Sequence, residues 1–376
     1  MNPPISFVDL KAQNNLIGDK IKQAMDDVVT HGKFIMGPEV LLLEEKLSLF
    51  TKAKYVISCS SGTDALLMAL MSIGIKPGDH VLTTPFTFIA TAEVICMLGA
   101  IPVFVDIDKK TFNISPEKLE QTLDRCQGHP KHSFNPRCII PVDIFGLLAD
   151  YEAINKIAKQ HGLVVIEDAA QSLGASFKDK MVGSLSKIAG TSFFPAKPLG
   201  CYGDGGAVFT NDKALAQTLL SIRVHGKGQN KYDNIRVGIN ARMDTLQAAV
   251  LLEKLKIFES ELGRRRKIAS IYQKLLKDEI RIQKFQDPGQ SAWAQFSIVS
   301  ERRAAIAQAL DKNAIPWAIY YPKPLHLQTA FSRLGYKPGD FPVSESLCKN
   351  ILSIPVHPYM TDDQVQFIAD TINKAF

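Results

Sequence analysis

Strand and helix signals alternate through the first 210 residues, and this alternation limits the chain to a small set of folds. Short apolar runs, such as HVLT at 80–83, IPVFVD at 101–106 and LVVI at 163–166, are separated by segments with helical patterns. Apolar runs bounded by helices predict a largely parallel sheet that is covered by helices on both faces. We therefore expect an α/β fold.

The length of the chain predicts two domains, because 376 residues exceed what one hydrophobic core usually covers. One long helical pattern, or two in succession, runs from Asp244 to about Ser270 and connects the two parts. We place the boundary so that 1–254 form a large domain and 255–376 form a small α+β domain. The small domain is predicted to hold strands at 294–299 and 316–320 and helices at 301–311 and 362–374.

Composition excludes several classes of protein. Hydrophobic residues make up 46% and charged residues 22%, which is typical of a globular enzyme, and no apolar run reaches the length of a membrane span. The N-terminus lacks the basic and apolar regions of a secretory signal. The net charge of +6 is spread along the chain, and its densest cluster, RRRK at 264–267, is predicted to be a solvated helix face. We expect no nucleic-acid or membrane partner, although a positive excess suits an anionic small substrate.

The six cysteines are scattered without CxxC pairs, so they indicate free thiols in a reducing cytoplasm and no metal site. Cys126 and Cys138 bracket one loop and have the option of pairing, but we expect both to be reduced. The stretch between them, CQGHPKHSFNPRC, is predicted to be a flexible surface insertion.

A single lysine is framed by unusual neighbours. Lys197 lies between Pro195 and Pro198, and glycines follow at 200, 203, 205 and 206. Proline fixes φ, and glycine permits positive φ or a close approach of backbone. Taken alone, this stretch has two possible interpretations. The first is an exposed loop with an incidental lysine. The second is a site whose amine forms a Schiff base with an aldehyde cofactor.

Three further stretches bear on that choice, and each also has an ordinary structural interpretation. The turn at 60–63, SSGT, precedes a helix and fits a phosphate site or a plain N-cap. Asp168, followed by Gln171, ends a strand and fits a ligand contact or a helix cap. Phe88 follows another strand end and fits a cover for a flat cofactor or a core aromatic residue.

Together these stretches match the needs of pyridoxal phosphate. That cofactor requires an amine, an acid for its ring nitrogen, donors for its phosphate and a surface for its ring. A carboxylate beside the ring nitrogen keeps it protonated, because an opposite charge favours the charged form. The protonated ring is the electron sink of the reaction.

Five motifs carry a resemblance to a known family: SCSSGTDAL at 58–66, PFTFIATAE at 85–93, VIEDAAQSLGA at 165–175, TSFFPAKPLGCYGDGGAVFTND at 191–212 and GINARMDTLQAAVLL at 238–252. The sequence resembles the nucleotide-sugar aminotransferases of the DegT/DnrJ/StrS type, which are fold type I enzymes that use pyridoxal phosphate. The resemblance runs from Phe7 to the C-terminus. It implies a large domain with a mixed, mostly parallel seven-stranded sheet between helices and a smaller α+β C-terminal domain.

The resemblance also implies roles for single residues. Lys197 binds the cofactor covalently and then moves a proton, and Asp168 pairs with the ring nitrogen. Gln171 contacts the ring hydroxyl, and Phe88 stacks on the ring. The residues implied to hold the phosphate are Gly62, Thr63 and Ser192.

A second set of implied roles concerns the partner subunit and the substrate. Asn240 reaches the cofactor phosphate of the neighbouring subunit, so the resemblance implies a homodimer with shared active sites. Arg242, Tyr320, Tyr321 and His326 are implied to face the substrate. Arg242 also fits an interface ion pair, the two tyrosines fit core or rim positions, and His326 fits a structural loop residue. The family often has His-Tyr-Pro where this chain has Tyr320-Tyr-Pro.

The implied reaction moves an amino group from L-glutamate to the keto group of a nucleotide-linked sugar. The motifs favour a UDP-linked 3-oxo uronic acid used for surface polysaccharide (lipopolysaccharide O-antigen) biosynthesis, with a dTDP-linked 3- or 4-oxo hexose as the alternative. Lys197 argues against the family's dehydratase branch, which has histidine at this position. Two alternatives belong to other classes of protein. One is a cofactor-binding regulator, which would need a DNA-binding module. The other is a cysteine desulfurase, which would need a glycine-rich cysteine loop around Cys348.

Overall fold

A computed structural model of the chain describes residues 5–127, 134–178, 180–230, 232–284 and 288–375. Residues 128–133 of the insertion predicted at 126–138 lie outside the described residues. Within the described ranges, no helix combines the length and the apolar character that crossing a bilayer requires.

A seven-stranded sheet forms the centre of the large domain. In spatial order its strands are β1, β9, β8, β5, β4, β2 and β3, and β9 alone runs antiparallel to its neighbours within this sheet. The prediction of a mixed, mostly parallel seven-stranded sheet is confirmed. The strands are β1 (Tyr55–Cys59), β2 (His80–Thr83), β3 (Ile101–Phe104), β4 (Pro136–Ile140), β5 (Val164–Asp168), β8 (Ile188–Ser192) and β9 (Gly206–Thr210). The two-residue strands β6 (Ser176–Phe177) and β7 (Lys180–Met181) form a separate three-stranded sheet with β11 (Gly289–Gln290).

Helices cover both faces of this sheet because successive strand residues point to opposite sides. Ile57 packs with one group of helices, whereas its neighbour Val56 packs with another. The helices of the large domain are α1 (Leu10–His31), α2 (Pro38–Thr51), α3 (Gly62–Ser72), α4 (Ala90–Met97), α5 (Pro116–Gln127), α6 (Tyr151–Gln160) and α7 (Lys213–Ile222).

One continuous helix, α8 (Thr245–Leu275), connects the two parts of the chain. Its residues up to Leu262 pack in the core of the large domain, and from Ile268 onwards they pack in a second core. The long pattern at 244–270 is therefore one helix and not two. The boundary at 254/255 stays a prediction, since the helix passes through both cores without a break.

The second core belongs to the C-terminal part, where a three-stranded antiparallel sheet packs against helices. The predicted strand at 316–320 is reduced to one isolated bridge between Ala318 and Ser353. Pro316 and Pro322 flank it, and proline cannot donate to a strand ladder. The elements are β10 (Arg281–Ile282), β11 (Gly289–Gln290), β12 (Phe296–Val299), α9 (Arg303–Lys312), α10 (Pro342–Asn350), β13 (Ile351–Ile354) and α11 (Asp362–Lys374), with 3₁₀ turns at Leu325–Leu327 and Thr329–Leu334.

Candidate active site

The loop between β8 and β9 holds Lys197 in a tightly folded backbone. The Lys197 amide donates to the Phe194 carbonyl at 2.8 Å, and the Cys201 amide donates to the Phe193 carbonyl at 2.8 Å. Gly200 lies where the chain doubles back, and a Cβ there would come within 2.5 Å of the Pro195 carbonyl oxygen. Only glycine fits this approach, so at least one of the predicted loop glycines has a clear steric reason.

Asp168 shares a site with Lys197 because their strands are neighbours. Asp168 ends β5 and pairs with Gly190 on β8, the strand that leads into the lysine loop. Its carboxylate is 4% exposed, and it accepts hydrogen bonds from Thr91 Oγ1 at 2.7 Å and from the Ala170 amide at 3.2 Å. Burial raises the pKa of Asp168, while these bonds and the charge of Lys197 lower it in part.

The amine of Lys197 is correspondingly destabilised as a cation. Desolvation lowers the pKa of Lys197 from its ordinary value, and the charge of Asp168 raises it in part. A lysine with a lowered pKa supplies more neutral amine near neutral pH, which nucleophilic attack and proton abstraction both require.

Aromatic side chains form one wall beside this pair. The ring of Phe88 is 56% exposed and lies 6.5 Å, centroid to centroid, from the ring of Tyr321. Tyr321 also meets Phe86 edge-on at 6.0 Å, and its hydroxyl accepts a hydrogen bond from Gln171 Nε2 at 3.2 Å. An exposed phenyl ring beside the half-buried Tyr321 offers a flat apolar surface to a planar ligand.

The N-terminus of α3 faces the end of β8. Ser61 caps the helix by accepting from the Asp64 amide at 3.0 Å, and Gly62 and Thr63 follow in the first turn. The first amides of a helix have no acceptor within the helix, and they attract anions. A Cβ on Gly62 would lie 2.6 Å from Ser192 Cβ, so these two residues are in direct contact. The three predicted phosphate residues therefore lie together.

These residues fit pyridoxal phosphate by the chemistry of their side chains. The site combines one amine, one buried carboxyl group, a helix N-terminus with a neighbouring hydroxyl, and an exposed aromatic ring. The amine matches the aldehyde of the cofactor and the carboxyl group matches its ring nitrogen. The helix N-terminus with its hydroxyl matches the phosphate, and the aromatic ring matches the face of the cofactor ring.

Comparison with known proteins identifies the family. The model of the DegT/DnrJ/EryC1/StrS aminotransferase family matches residues 15–373. The chain belongs to this family. The predicted family membership, the predicted fold class and the prediction of an aminotransferase are thereby confirmed.

Individual members of the family resemble the chain over almost its whole length. A Pseudomonas aeruginosa protein named UDP-2-acetamido-2-deoxy-3-oxo-D-glucuronate aminotransferase is 45% identical, over 98% of this chain and 100% of its own. A family aminotransferase from Brucella abortus superimposes with a TM-score of 0.94 at 48% identity, over 98% of this chain and 99% of its own. NtdA from Bacillus subtilis, solved with bound cofactor PMP, superimposes with a TM-score of 0.87 at 29% identity, over 96% of this chain and 82% of its own. Other full-length relatives are named for dTDP-linked sugars, and one is named a pleiotropic regulatory protein.

Asn240 and Arg242 lie apart from the wall of Phe88. They line an open cavity of about 660 Å³ together with Ser60, Ser61 and Asp64 near the N-terminus of α3, and Arg242 Nε donates to Asn240 Oδ1 at 2.9 Å. Asn240 is exposed. Their roles toward a partner subunit and a substrate stay predictions.

The remaining substrate candidates separate in space. Tyr320 is half-buried beside Phe7, with ring centroids 6.2 Å apart, and it joins the wall through Tyr321. His326 is 1% exposed, and its Nε2 lies 3.1 Å from Glu345 Oε1 in an aromatic cluster with Phe341. Burial lowers the pKa of His326. The structure brings Tyr321 to the site but places His326 in the core. The substrate role of His326 therefore stays a prediction, without a contact to support it.

Sequence reasoning missed the residues that support the carboxylate. Thr91 lies inside a quoted motif, yet nothing in its spacing indicates the bond to Asp168. Asp143 lies behind the site and accepts from Ser172 Oγ at 2.8 Å, from Tyr151 Oη at 3.0 Å and from the Ala149 amide at 2.8 Å. Burial raises the pKa of Asp143 to about 7, and the hydrogen bonds lower it in part. This carboxyl group anchors the turn that carries Gln171.

Proposed function

We propose that the chain is a pyridoxal-phosphate-dependent aminotransferase that moves an amino group from L-glutamate to the keto group of a nucleotide-linked sugar. The observation that carries this proposal is that Asp168 ends β5 beside Gly190 of β8, the strand that leads into the loop with Lys197. Each of the two side chains also shifts the pKa of the other. The bound cofactor supplies an electron sink for the carbanion that forms when the amino donor loses its α-proton.

The residues of this chain perform the other tasks. In the first half-reaction the neutral amine of Lys197 would take the α-proton of the amino donor, and in the second it would deliver a proton to the sugar carbon that receives the amino group. Asp168 holds a negative charge against the ring nitrogen, and the hydrogen bond from Thr91 favours that ionised form. The N-terminus of α3 and Ser192 bind the phosphate, and Phe88 with Tyr321 orients the ring and limits access of water.

The sugar we favour is UDP-2-acetamido-2-deoxy-3-oxo-D-glucuronate, which would place the enzyme in surface polysaccharide biosynthesis. The support is the 45% identity to a relative named for that substrate. Arg242 offers a cation to an anionic sugar group. A dTDP-linked keto hexose is the second candidate, because relatives of similar length are named for such sugars.

We also propose that the enzyme works as a homodimer in the cytoplasm. Ile35 lines the cavity of Asn240 and is 50% exposed, its chain neighbour Phe34 is 46% exposed, and Phe194 in the lysine loop is 52% exposed. An exposed apolar surface of this kind fits a second copy of the chain. The described cysteines are free, as expected in a reducing compartment.

The test is a half-reaction followed by a substrate panel. The protein loaded with pyridoxal phosphate is mixed with L-glutamate, and its visible absorbance band and the 2-oxoglutarate formed are measured. Loss of the band with stoichiometric 2-oxoglutarate supports the proposal, whereas an unchanged band with glutamate and glutamine contradicts it. The aminated protein is then offered UDP- and dTDP-linked keto sugars, and return of the band identifies the acceptor. A cofactor-binding regulator would leave every sugar unchanged.

A further inference from the structure

A second lysine is buried beneath the catalytic loop. Lys254 on α8 is 1% exposed. Transfer of an ammonium group from water into a protein interior costs free energy unless partners compensate. Desolvation lowers the pKa of Lys254 to about 8, and the neighbouring charges of Glu261 and Cys201 raise it in part. A methionine of similar length would fill this space without that cost, so the charge calls for an explanation.

Both direct contacts of the ammonium belong to the loop that follows Lys197. Lys254 Nζ donates to the Gly200 carbonyl at 2.7 Å, and it lies 4.4 Å from the centroid of the Tyr202 ring. A charge-assisted hydrogen bond is about twice as strong as a neutral one, and a cation over an aromatic face adds to it. The ammonium therefore contacts the loop at two residues, Gly200 and Tyr202.

A second side chain of α8 holds the same loop. Gln247 Oε1 accepts from the Tyr202 amide at 2.8 Å. Gln247 and Lys254 are about two turns apart and therefore lie on one face of the helix. The loop is tightly folded above this face, because a Cβ on Gly200 would come within 2.5 Å of the Pro195 carbonyl oxygen and 2.7 Å of the Phe194 carbonyl oxygen. A rigid helix thus fixes the backbone three residues after Lys197.

We propose that Lys254 is a positioning residue, which fixes the segment Gly200–Tyr202 on α8 and thereby sets where the amine of Lys197 lies. The inference rests on the proposed function, since it concerns the geometry of that reaction. Small displacements of a reacting group lower the rate steeply, and about 1 Å of misplacement costs on the order of a hundredfold. The chain thus keeps a costly buried charge for the sake of catalytic geometry.

The test compares Lys254→Met with a matched control on the same helix, Lys256→Met. Lys256 is 64% exposed in its side chain and pairs only with the nearby Glu253 among the described ion pairs. For each protein we would measure kcat and KM with glutamate, the Tm, and the rate at which an amine-reactive reagent labels Lys197 in the cofactor-free protein, quantified by peptide mass spectrometry.

We expect the loss of Lys254 to lower activity but to leave thermal stability nearly unchanged. Lys254→Met lowers kcat by roughly ten- to a hundredfold with little change in KM, changes the labelling rate of Lys197, and leaves Tm within a few degrees of wild type. A milder variant, Tyr202→Leu, keeps the hydrogen bond and loses the ring, so its drop in kcat is smaller. Lys256→Met matches wild type in all measurements.

Three results would overturn the proposal: a kcat of Lys254→Met equal to that of the control, an unchanged labelling rate of Lys197, or a collapse of folding in both Lys254→Met and Tyr202→Leu. The labelling and Tm measurements need no turnover. If wild type itself does not transaminate, the proposed function fails, while the labelling result still decides whether Lys254 positions the loop.

Discussion

The residues that we propose bind the cofactor (the cofactor-facing part) and the segment 320–326 that the resemblance predicts to face the sugar (the sugar-facing part) are built in different ways. Asp168, Ser192 and Gly62 sit at or directly beyond strand ends, so the sheet itself sets their positions. The segment from Tyr320 to His326 follows an irregular path, and its side chains depend on residues far along the chain. Tyr321 is held by Gln171, Tyr320 by Phe7 and His326 by Glu345. We therefore expect the sheet to fix the position of the reacting groups, and substrate choice to depend on packing that differs between members of the family.

The largest expected effect is at the centre of the cofactor-facing part. Lys197→Ala removes both the attachment point and the proton carrier, so we expect kcat to fall by at least about a thousandfold. The phosphate and ring contacts remain, so the variant retains cofactor. Stopped-flow absorbance with glutamate and a dialysis assay of cofactor retention measure the two effects. Turnover of Lys197→Ala at the wild-type rate would refute the assignment.

The next largest effect is expected from removing the negative charge of Asp168. Asp168→Asn keeps the shape and the acceptor for Thr91 but removes the negative charge beside the ring nitrogen. Because electrostatic stabilisation at a reacting group is worth roughly a hundred- to a thousandfold, we expect a loss of kcat in that range. Single-turnover rates with glutamate test this. A variant within threefold of wild type would show that Asp168 has no such role.

A smaller effect, visible in the pH profile, comes from Thr91. Its hydrogen bond lowers the pKa of Asp168 because it favours the ionised form. Thr91→Val removes the donor, so the pKa of Asp168 rises and the acid limb of the kcat profile moves to higher pH. Thr210→Val is the control, since Thr210 is equally buried and donates to the Lys187 carbonyl away from the site. An unshifted limb in Thr91→Val, or an equal shift in both variants, would count against this account.

The smallest effect on activity is expected in the sugar-facing part. His326→Gln disturbs a buried hydrogen bond to Glu345, which is worth about 1–2 kcal/mol and corresponds to a Tm lower by about 2–4 °C. We expect kcat/KM for the sugar to change less than threefold. Calorimetry and steady-state kinetics measure the two. An unchanged Tm with a clearly raised KM for the sugar would instead support the substrate role that the family resemblance implies.

The same contrast explains what the sequence could predict. The alternation of apolar runs and helical segments predicted the parallel sheet, since burial on both faces leaves a strong pattern in each strand. Asp168 was found because it follows such a run directly, and Gly62 and Thr63 because a turn before a helix has a recognisable composition. Local pattern and family motif agreed at these three positions, whereas Ser192 was implied by the family resemblance alone.

The missed residues act over long distances in sequence. The bond from Thr91 to Asp168 joins residues 77 positions apart, and the contact of Lys254 with Gly200 joins residues 54 apart. A lysine within a helical pattern is usually solvated, so only the packed structure shows that Lys254 is buried. The reduction of the predicted strand at 316–320 to one bridge has the same origin, because Ser353 is its only bridging partner among the described residues.

The central claim is that Lys197, and not the buried Lys254, carries the cofactor. Borohydride reduction of the protein loaded with pyridoxal phosphate, followed by peptide mass spectrometry, tests it directly. We predict that the reduced cofactor is found on the peptide that contains Lys197 and is lost in Lys197→Ala. Attachment to the peptide that contains Lys254, or no attachment to either lysine, would contradict the account.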